Sequence, residues 1–353
     1  MLPSIKVLVT ACGCPGASTL LKMLRQNGER NIELVGVDMD HEAIGRFIVD
    51  TFYTVPAAAN EAAYVERMLD IVERERPDVL YPESSFEVPV LAKHRDEFEA
   101  LGTRVTVSSP ESIELANDKY KMYEALCAET ELPLPAYRWP KTLDDFVAAA
   151  HELGYPEQAV CFKPHVAKGS RGFRIMDAAI SRRDLLMNYK PNSRYMSLDE
   201  FVTIFKNEPD LPDFLVMEFV EGQEMTTDCL CLDGEALLTT VKTVEQARWG
   251  VIVRGELIRR PDLLEQTEEI LRVIPLSYNV NLQFIGEKLI EINPRVSSFI
   301  YQEDMIPPYL AVKLALGELD EAGVRAYQDQ VAYGRRMVRY MDQVFFGGEA
   351  SDS

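Results

Sequence analysis

The chain has 353 residues, 47% of them hydrophobic, and its 37 Lys and Arg against 57 Asp and Glu give a formal net charge of −20. That excess of acid argues against a nucleic-acid-binding protein, because no basic surface offsets repulsion from phosphodiesters, and an anionic ligand must be met by local positive charge. The length suits two or three domains of about 100 to 200 residues. No segment reaches the roughly 20 apolar residues of a membrane-spanning helix, so a cytoplasmic protein without a membrane partner is expected.

The N-terminal third alternates short apolar runs with amphipathic stretches. Strands are predicted at 5–10, Ile32–Asp38, Val79–Tyr81 and 103–107, with helices at 17–27, Glu61–Glu75 and 89–101. This order predicts a doubly wound parallel sheet. Its first turn, Cys12-Gly13-Cys14-Pro15-Gly16, and the acidic Asp38 closing the second strand invite a nicotinamide-dinucleotide-dependent oxidoreductase as one alternative. Only Gly13 and Gly16 of the three-glycine fingerprint are present, with Ala11 in the first position. Glu83 follows the Val79–Tyr81 strand, where open sheets bind ligands, and is a candidate for holding a substrate amine.

Asn117 and Asp118 can cap a helix beginning near Lys119, which projects that lysine from a helix start favourable to anions. Pro133, Pro135 and Pro140 mark a linker, and a helix is predicted at 142–153. Val160–Pro164 reads as a short buried strand delivering Lys163, and a glycine-rich run leads to a second strand at 173–176. Gly169 and Gly172 let backbone amides approach an anion, while Lys163 and Lys168 add charge at fixed and mobile positions; Lys168 alone equally fits a solvated turn. The spacing is not that of a Walker A loop, since no Gly-Lys-Ser/Thr opens a helix. The segment 181–212 carries two helices and a Pro-Asn-Ser turn, with no role beyond packing. A strand at 214–217 then delivers Glu218, and the chain crosses Gly222 to re-enter a strand at Glu224. Backbone groups of Phe219 and Val220 could bond a purine edge, Glu218 its amino group and Glu224 ribose hydroxyls, because ionised carboxylates only accept. Singly, each glutamate also fits a solvated strand end.

After a helix at 262–274, the segment 281–295 reads as a β-hairpin presenting oxygen ligands and a cation together. Gly286 and Glu287 form its turn, and Glu291 and Asn293, two apart, face one side of their strand. With Gln283 they offer the hard oxygen donors that Mg²⁺, or Mn²⁺, accepts. Arg295, just past Pro294, can reach a phosphate or carboxylate with its forked guanidinium. A helix at 309–316 and a disordered tail at 346–353 complete the reading.

In this order the clusters resemble the ATP-grasp superfamily, and most of all the carbamoyl phosphate synthase large-chain branch with its free-standing ligase relatives. The motifs are Lys-Val-Leu-Val-Thr with its Gly/Pro turn, Ser-Ser-Pro-Glu-Ser-Ile followed by Asn-Asp-Lys, Phe-Lys-Pro with Gly-Ser-Arg-Gly, Met-Glu-Phe-Val-Glu-Gly-Gln-Glu, and Asn-Leu-Gln-Phe with Glu-Ile-Asn-Pro-Arg. They span Lys6 to about Gly317. The resemblance implies a Rossmann-like doubly wound parallel sheet at 1–110, then a two-lobed ATP-grasp fold: a small lobe with linker helix and phosphate loop at 111–222 and a large lobe with the metal hairpin at 223–320. A C-terminal extension and tail would fill 321–353. It further implies that Lys119 and Lys163 bind ATP phosphates beneath a closing loop of Lys168, Gly169, Ser170, Arg171 and Gly172. Glu218 and Val220 would contact adenine, and Glu224 the ribose. Gln283, Glu291 and Asn293 would ligate one or two Mg²⁺ ions, with Arg295 and Lys163 at the transferred group. Lys242, Arg248 and Arg254 lie where acceptor contacts fall, and each fits exposed charge as well. Two departures stand out: His165-Val166-Ala167 replaces an often Arg- or Gly-rich stretch, and Tyr278-Asn279 stands where relatives often carry a small residue.

The implied reaction is ATP-dependent ligation of a small-molecule carboxylate to an amine, or a thiol, through an acyl phosphate. A homodimer is compatible with it, and a non-catalytic ATP-binding protein is a further alternative. The six cysteines include two Cys-x-Cys pairs, Cys12/Cys14 and Cys229/Cys231, which lack the Cys-x₂-Cys spacing of zinc ribbons and read as buried, reduced thiols of a reducing compartment. Val9-Thr10-Ala11-Cys12 resembles a lipoprotein cleavage box, but the apolar run before it falls short of a secretory core of about 7 to 15 residues.

Overall fold

A computed structural model describes residues 2–166, 171–189, 194–248 and 250–347. Lys168, Gly169 and Ser170, the Pro-Asn-Ser turn at 191–193 and the tail from 348 lie outside the described residues.

The first sheet has five parallel strands in the order Thr51–Thr54, Ile32–Asp38, Ile5–Val9, Val79–Tyr81 and Arg104–Val105. Val7 and Val9 pack with Leu20, Leu21 and Leu24 of the helix Ala17–Arg25, whereas Leu8 packs with Tyr64, Met68 and Ile71 of Glu61–Glu75. Burial on both faces is why these strands read as continuous apolar runs. The predicted helix 89–101 is in fact two, Val88–Lys93 and Arg95–Ala100, broken at His94, whose ring meets Glu61 at 3.0 Å and Glu97 at 2.6 Å. The strand predicted at 103–107 contracts to Arg104–Val105.

A second, four-stranded antiparallel sheet follows in the order Tyr137–Arg138, Phe214–Glu218, Val160–Pro164 and Arg174–Met176. Its outer face is closed by aromatic rings. Phe201, from the helix Leu198–Phe205, stacks on Phe146 at 3.8 Å, and Phe162 and Phe214 meet the pair edge-on. Each buried ring contributes about 1.5–3 kcal/mol of transfer free energy, so the 181–212 segment completes the core of this lobe.

The third sheet has seven strands, with Gln246–Arg248, Val251–Ile258, Glu235–Thr243, Glu224–Leu232, Tyr278–Ile285 and Lys288–Asn293 in sequence of pairing, and Arg336–Val338 beside Val251–Ile258. Strict alternation divides its faces. Met225, Cys229, Val280, Leu282 and Phe284 enter the core with the helix Pro261–Val273. On the opposite face, Thr226 is paired with Gln283 and Asp228 with Asn281, and the hairpin continues with Gln283 opposite Glu291 and Asn281 opposite Asn293. Side chains directly opposite one another in an antiparallel pair share a face, so this sheet carries a polar stripe above an apolar underside. Among the described residues, no helix is long and apolar enough to cross a membrane.

Candidate functional site

The second and third sheets enclose a cleft of ≈ 740 Å³, counting its open mouth, lined by Lys119, Lys163, Arg171, Glu224, Gln283 and Glu291 with Phe173, Phe284 and Ile290. Lys119 opens the helix Lys119–Glu129, whose N-cap Asp118 accepts from the amides of Tyr120 and Lys121. Its ammonium lies 3.4 Å from Glu291. Lys163 arrives on the strand Val160–Pro164 and donates to the Ile290 carbonyl at 3.1 Å. That carbonyl is available because Gln283 pairs with Glu291 while Phe284 pairs with Leu289, which leaves Ile290 as the extra residue of a β-bulge. Bulges turn a backbone group off the ladder beside functional sites. Tyr123, on the helix Lys119–Glu129, also donates to the Ile290 oxygen, at 3.0 Å, so the bulge fastens that helix and the second sheet to the hairpin.

Burial, reinforced by the charge of Lys119, pushes Lys163 down to about 8. Two lysines thus face one carboxylate at the floor of the cleft, a local excess of positive charge in a chain of net charge −20. An anion entering here would meet cations that are already positioned, which is how phosphate sites are built. Gly172, at φ +77°, closes the glycine-rich run: a Cβ there would stand 2.6 Å from the Pro164 ring. Lys168, Gly169 and Ser170 fall outside the described residues.

Gln283, Glu291 and Asn293 project from one face of the hairpin, with the turn Gly286-Glu287 between them and Gly286 at φ +60°. Asn293 is buried, and its amide lies 3.5 Å from Asn281. Among the described residues there is no group of three or more His, Cys, Asp or Glu able to cage a metal. One carboxylate with two amide oxygens nevertheless suits Mg²⁺, which keeps several waters and takes the rest of its shell from substrate phosphates. Gln283 and Glu291 line the cleft and fit a cation shared with a nucleotide, whereas Asn293 is buried and does not line it.

Other candidates are placed elsewhere. Glu218 accepts from the Ala136 amide at 3.0 Å and pairs with Lys288, and the Phe219 amide donates to Ala159 at 3.3 Å. These contacts fasten the strand end to the linker and hairpin, and neither these residues nor Val220 line the cleft. Glu224 does line it, at the mouth. Lys242 is fully enclosed in an ion pair with Asp228, with Ser297 at 3.3 Å and Asn281 reaching Asp228 at 2.9 Å. Arg248 and Arg254 are exposed on the neighbouring strands Gln246–Arg248 and Val251–Ile258, away from the cleft.

Arg295 leads into a second recess beneath the first sheet. It donates to Ser85 at 2.7 Å and to the Val296 carbonyl at 2.7 Å, and burial lowers its pKa while Glu83 opposes the shift. Tyr278, at φ +62°, precedes Asn279, whose side-chain oxygen accepts from the hydroxyl of Tyr81 at 2.5 Å, and this bond joins the first and third sheets. Sequence reasoning passed over Asp228, Ser85 and Arg339. A charged residue inside an otherwise buried strand was a readable signal for Asp228; Arg339 has none, because only the fold brings the C-terminal segment back to the first helix.

Asp38, the residue behind the dinucleotide alternative, is held by the backbone. Asp38 accepts from the Gly13 amide at 2.6 Å and from the Asp40 amide at 2.9 Å. Each oxygen of Asp38 thus accepts one backbone amide, from the turn after the first strand and from the turn after its own.

A family model described as "ATP-grasp in the biosynthetic pathway with Ter operon" matches residues 210–337, and a "PylC-like, N-terminal domain" model matches residues 7–106. Among solved structures, the biotin carboxylase domain of Hydrogenobacter thermophilus 2-oxoglutarate carboxylase, in complex with MgADP, ADP and bicarbonate, superposes with a TM-score of 0.62 at 20% identity, covering 88% of this chain and 69% of that one. The chain has the ATP-grasp fold. A second solved structure, N5-carboxyaminoimidazole synthetase from Staphylococcus aureus complexed with ADP, gives a TM-score of 0.61 at 13% identity, covering 87% of this chain and 76% of that one. In sequence, this chain is similar to the carbamoyl phosphate synthase large chain of Clostridium acetobutylicum, at 24% identity over 270 residues, 72% of this chain and 23% of the relative. The large chain from Gemmatimonas aurantiaca is 23% identical over 313 residues, 81% of this chain and 27% of the relative. The chain thus spans about a quarter of the length of these two curated relatives.

Proposed function

We propose that this chain is an ATP-dependent ligase that joins a small-molecule carboxylate to an amine, or a thiol, through an acyl phosphate. One observation carries the reading: Lys119 and Lys163 from one lobe and Gln283 and Glu291 from the other open onto a single cleft. The relatives described as MgADP and ADP complexes support it.

Lys119 and Lys163 would hold the phosphates, and Arg171 with Gly172 belongs to the loop expected to cover them. Gln283, Glu291 and Asn293 would hold Mg²⁺, whose chemistry when bound is to neutralise charge on the transferred phosphoryl. Arg295 would orient the substrate carboxylate, whose oxygen takes the γ-phosphoryl group in line as ADP leaves. The nucleophile then attacks the acyl carbon, forming the new bond and expelling phosphate, with its proton passing to solvent. Positioning and screening suffice, and no side chain forms a covalent bond. All six cysteines are free thiols, Cys127 exposed and Cys14 half-buried, which supports a cytoplasmic location.

The test is ADP release with ATP and Mg²⁺ across a panel of amino and carboxylic acids. Stimulation by one acid, raised further by its nucleophile, is expected. No ADP release with any acid would leave a passive nucleotide binder instead.

A further inference from the structure

His165 opens the stretch that departs from the family pattern, two residues after Lys163 and at the foot of the glycine-rich run. Its backbone and its ring both reach other elements. The N–H donates to the Asp213 carbonyl at 3.1 Å, just ahead of the strand Phe214–Glu218, and the carbonyl accepts from the Lys119 amide at 3.0 Å. Nδ1 of the ring lies 2.9 Å from Oδ1 of Asp118, the N-cap of the helix Lys119–Glu129. An ionised carboxylate only accepts, so Nδ1 is the donor. Burial raises the Asp118 carboxyl, but the bonds from His165 and the Lys121 amide outweigh it and hold Asp118 below the usual aspartate range.

The far side of the ring is walled. Nε2 faces the Asp213 carboxylate at 3.7 Å, and the ring packs against Trp139 with centroids 5.3 Å apart. The Trp139 indole N–H donates to Asp213 at 3.2 Å, which closes the wall around the imidazole. The His165 side chain is 16% exposed, yet the residue does not line the cleft. Its neighbours do. Lys119 and Lys163 come from segments far apart in the chain, and burial, then the charge of Lys119, lowers Lys163, so the two ammoniums repel at the cleft floor. Such repulsion drives a helix start away from a strand unless a contact opposes it. Through His165 the helix start is bonded twice, at the Lys119 amide and at the Asp118 cap, to the strand end that carries Lys163. Glycine in its place would keep the backbone bond and lose the other.

We infer that His165 is a positioning residue for the nucleotide phosphates: it sets the spacing of Lys119 and Lys163 so that both ammoniums meet one anion, without touching that anion itself. The inference rests on the nucleotide site of the ligase reading and adds to it a residue whose role the resemblance does not supply.

The experiment follows the Tm as ATP increases at saturating Mg²⁺, each variant against its own nucleotide-free melt, which yields a Kd even when binding is weak. His165→Phe keeps a ring against Trp139 and removes the bond to Asp118. The Kd for ATP should rise roughly 10- to 100-fold, the bias that one charge-assisted hydrogen bond can impose on a position. His165→Asn places an amide N–H where Nδ1 stands and should restore most of the affinity. The deciding readout is coupling with Lys119. Lys119→Met should cost less affinity in the His165→Phe background than in wild type, because a displaced ammonium has less to lose, whereas a change that only loosens the fold adds to it independently. His165→Ser, too short to reach Asp118, runs the same cycle if His165→Phe does not fold. An unchanged Kd, additive losses with Lys119→Met, or His165→Asn binding no better than His165→Phe would overturn the inference. A wild-type Tm that ATP with Mg²⁺ does not move is a different result: it removes the nucleotide site itself, and the inference with it.

Discussion

Glu291→Gln lowers the maximal rate of ATP turnover on the order of 10³-fold while the fold persists, since a metal ion supplies several kcal/mol of transition-state stabilisation and each 1.36 kcal/mol is tenfold in rate. The substitution is nearly isosteric and sits at a half-buried position, so packing changes little. What disappears is the one formal negative charge among Gln283, Glu291 and Asn293, together with the partner of Lys119 at 3.4 Å. Three neutral amides are poor ligands for a hard dication. Steady-state ADP release reads the loss, and the Tm of the nucleotide-free variant reads the fold. Turnover near the wild-type rate would refute the metal assignment.

Lys163→Met weakens ATP binding by about 100-fold or more, because a buried cation that meets a phosphate is worth roughly 3 kcal/mol or above once both are out of water. Nucleotide-free stability moves the other way. Lys163 titrates at about 8 in the folded chain, below the ordinary lysine value near 10.4, so at pH 7 the fold bears the cost of a buried charge. Between pH 8 and about 10.4 the unfolded chain binds the proton that the folded chain has lost, and stability therefore rises with pH across that window. In Lys163→Met that rise is absent, and the variant is at least as stable as wild type at pH 7. ATP affinity of the wild type falls as pH climbs through 8, because the phosphate then meets a neutral amine. Denaturant melts and nucleotide titrations from pH 7 to 9.5 measure both trends. Identical pH profiles for the two proteins would show that Lys163 does not face the phosphates.

The parts of the molecule legible in the sequence were those set by local chemistry. The Gly286-Glu287 turn announced the hairpin, and the apolar strands of the first sheet announced a parallel sheet buried between helices. The residues that escaped depend on contacts made at a distance. Nothing in Leu289-Ile290-Glu291 signals a bulge, yet the bulge turns the Ile290 carbonyl toward Lys163 and Tyr123. Glu218 reads as a free acceptor at a strand end until Lys288, far along the chain, neutralises it. Lys242 reads as exposed charge until alternation places it beside Asp228 on a buried face. His94 carries no helix-breaking signal of its own and ends one helix because Glu61, on another, holds its ring.

A thermal melt with ATP, with Mg²⁺, with both and with NADH decides whether the two lobes converge on one triphosphate. Since the hairpin supplies only part of a metal's shell, Mg²⁺ alone should leave the Tm unchanged, while ATP with Mg²⁺ should raise it, by about 2.7 kcal/mol of added stability when ATP exceeds its Kd a hundredfold. Stabilisation by NADH, or none by ATP with Mg²⁺, would contradict the shared nucleotide site.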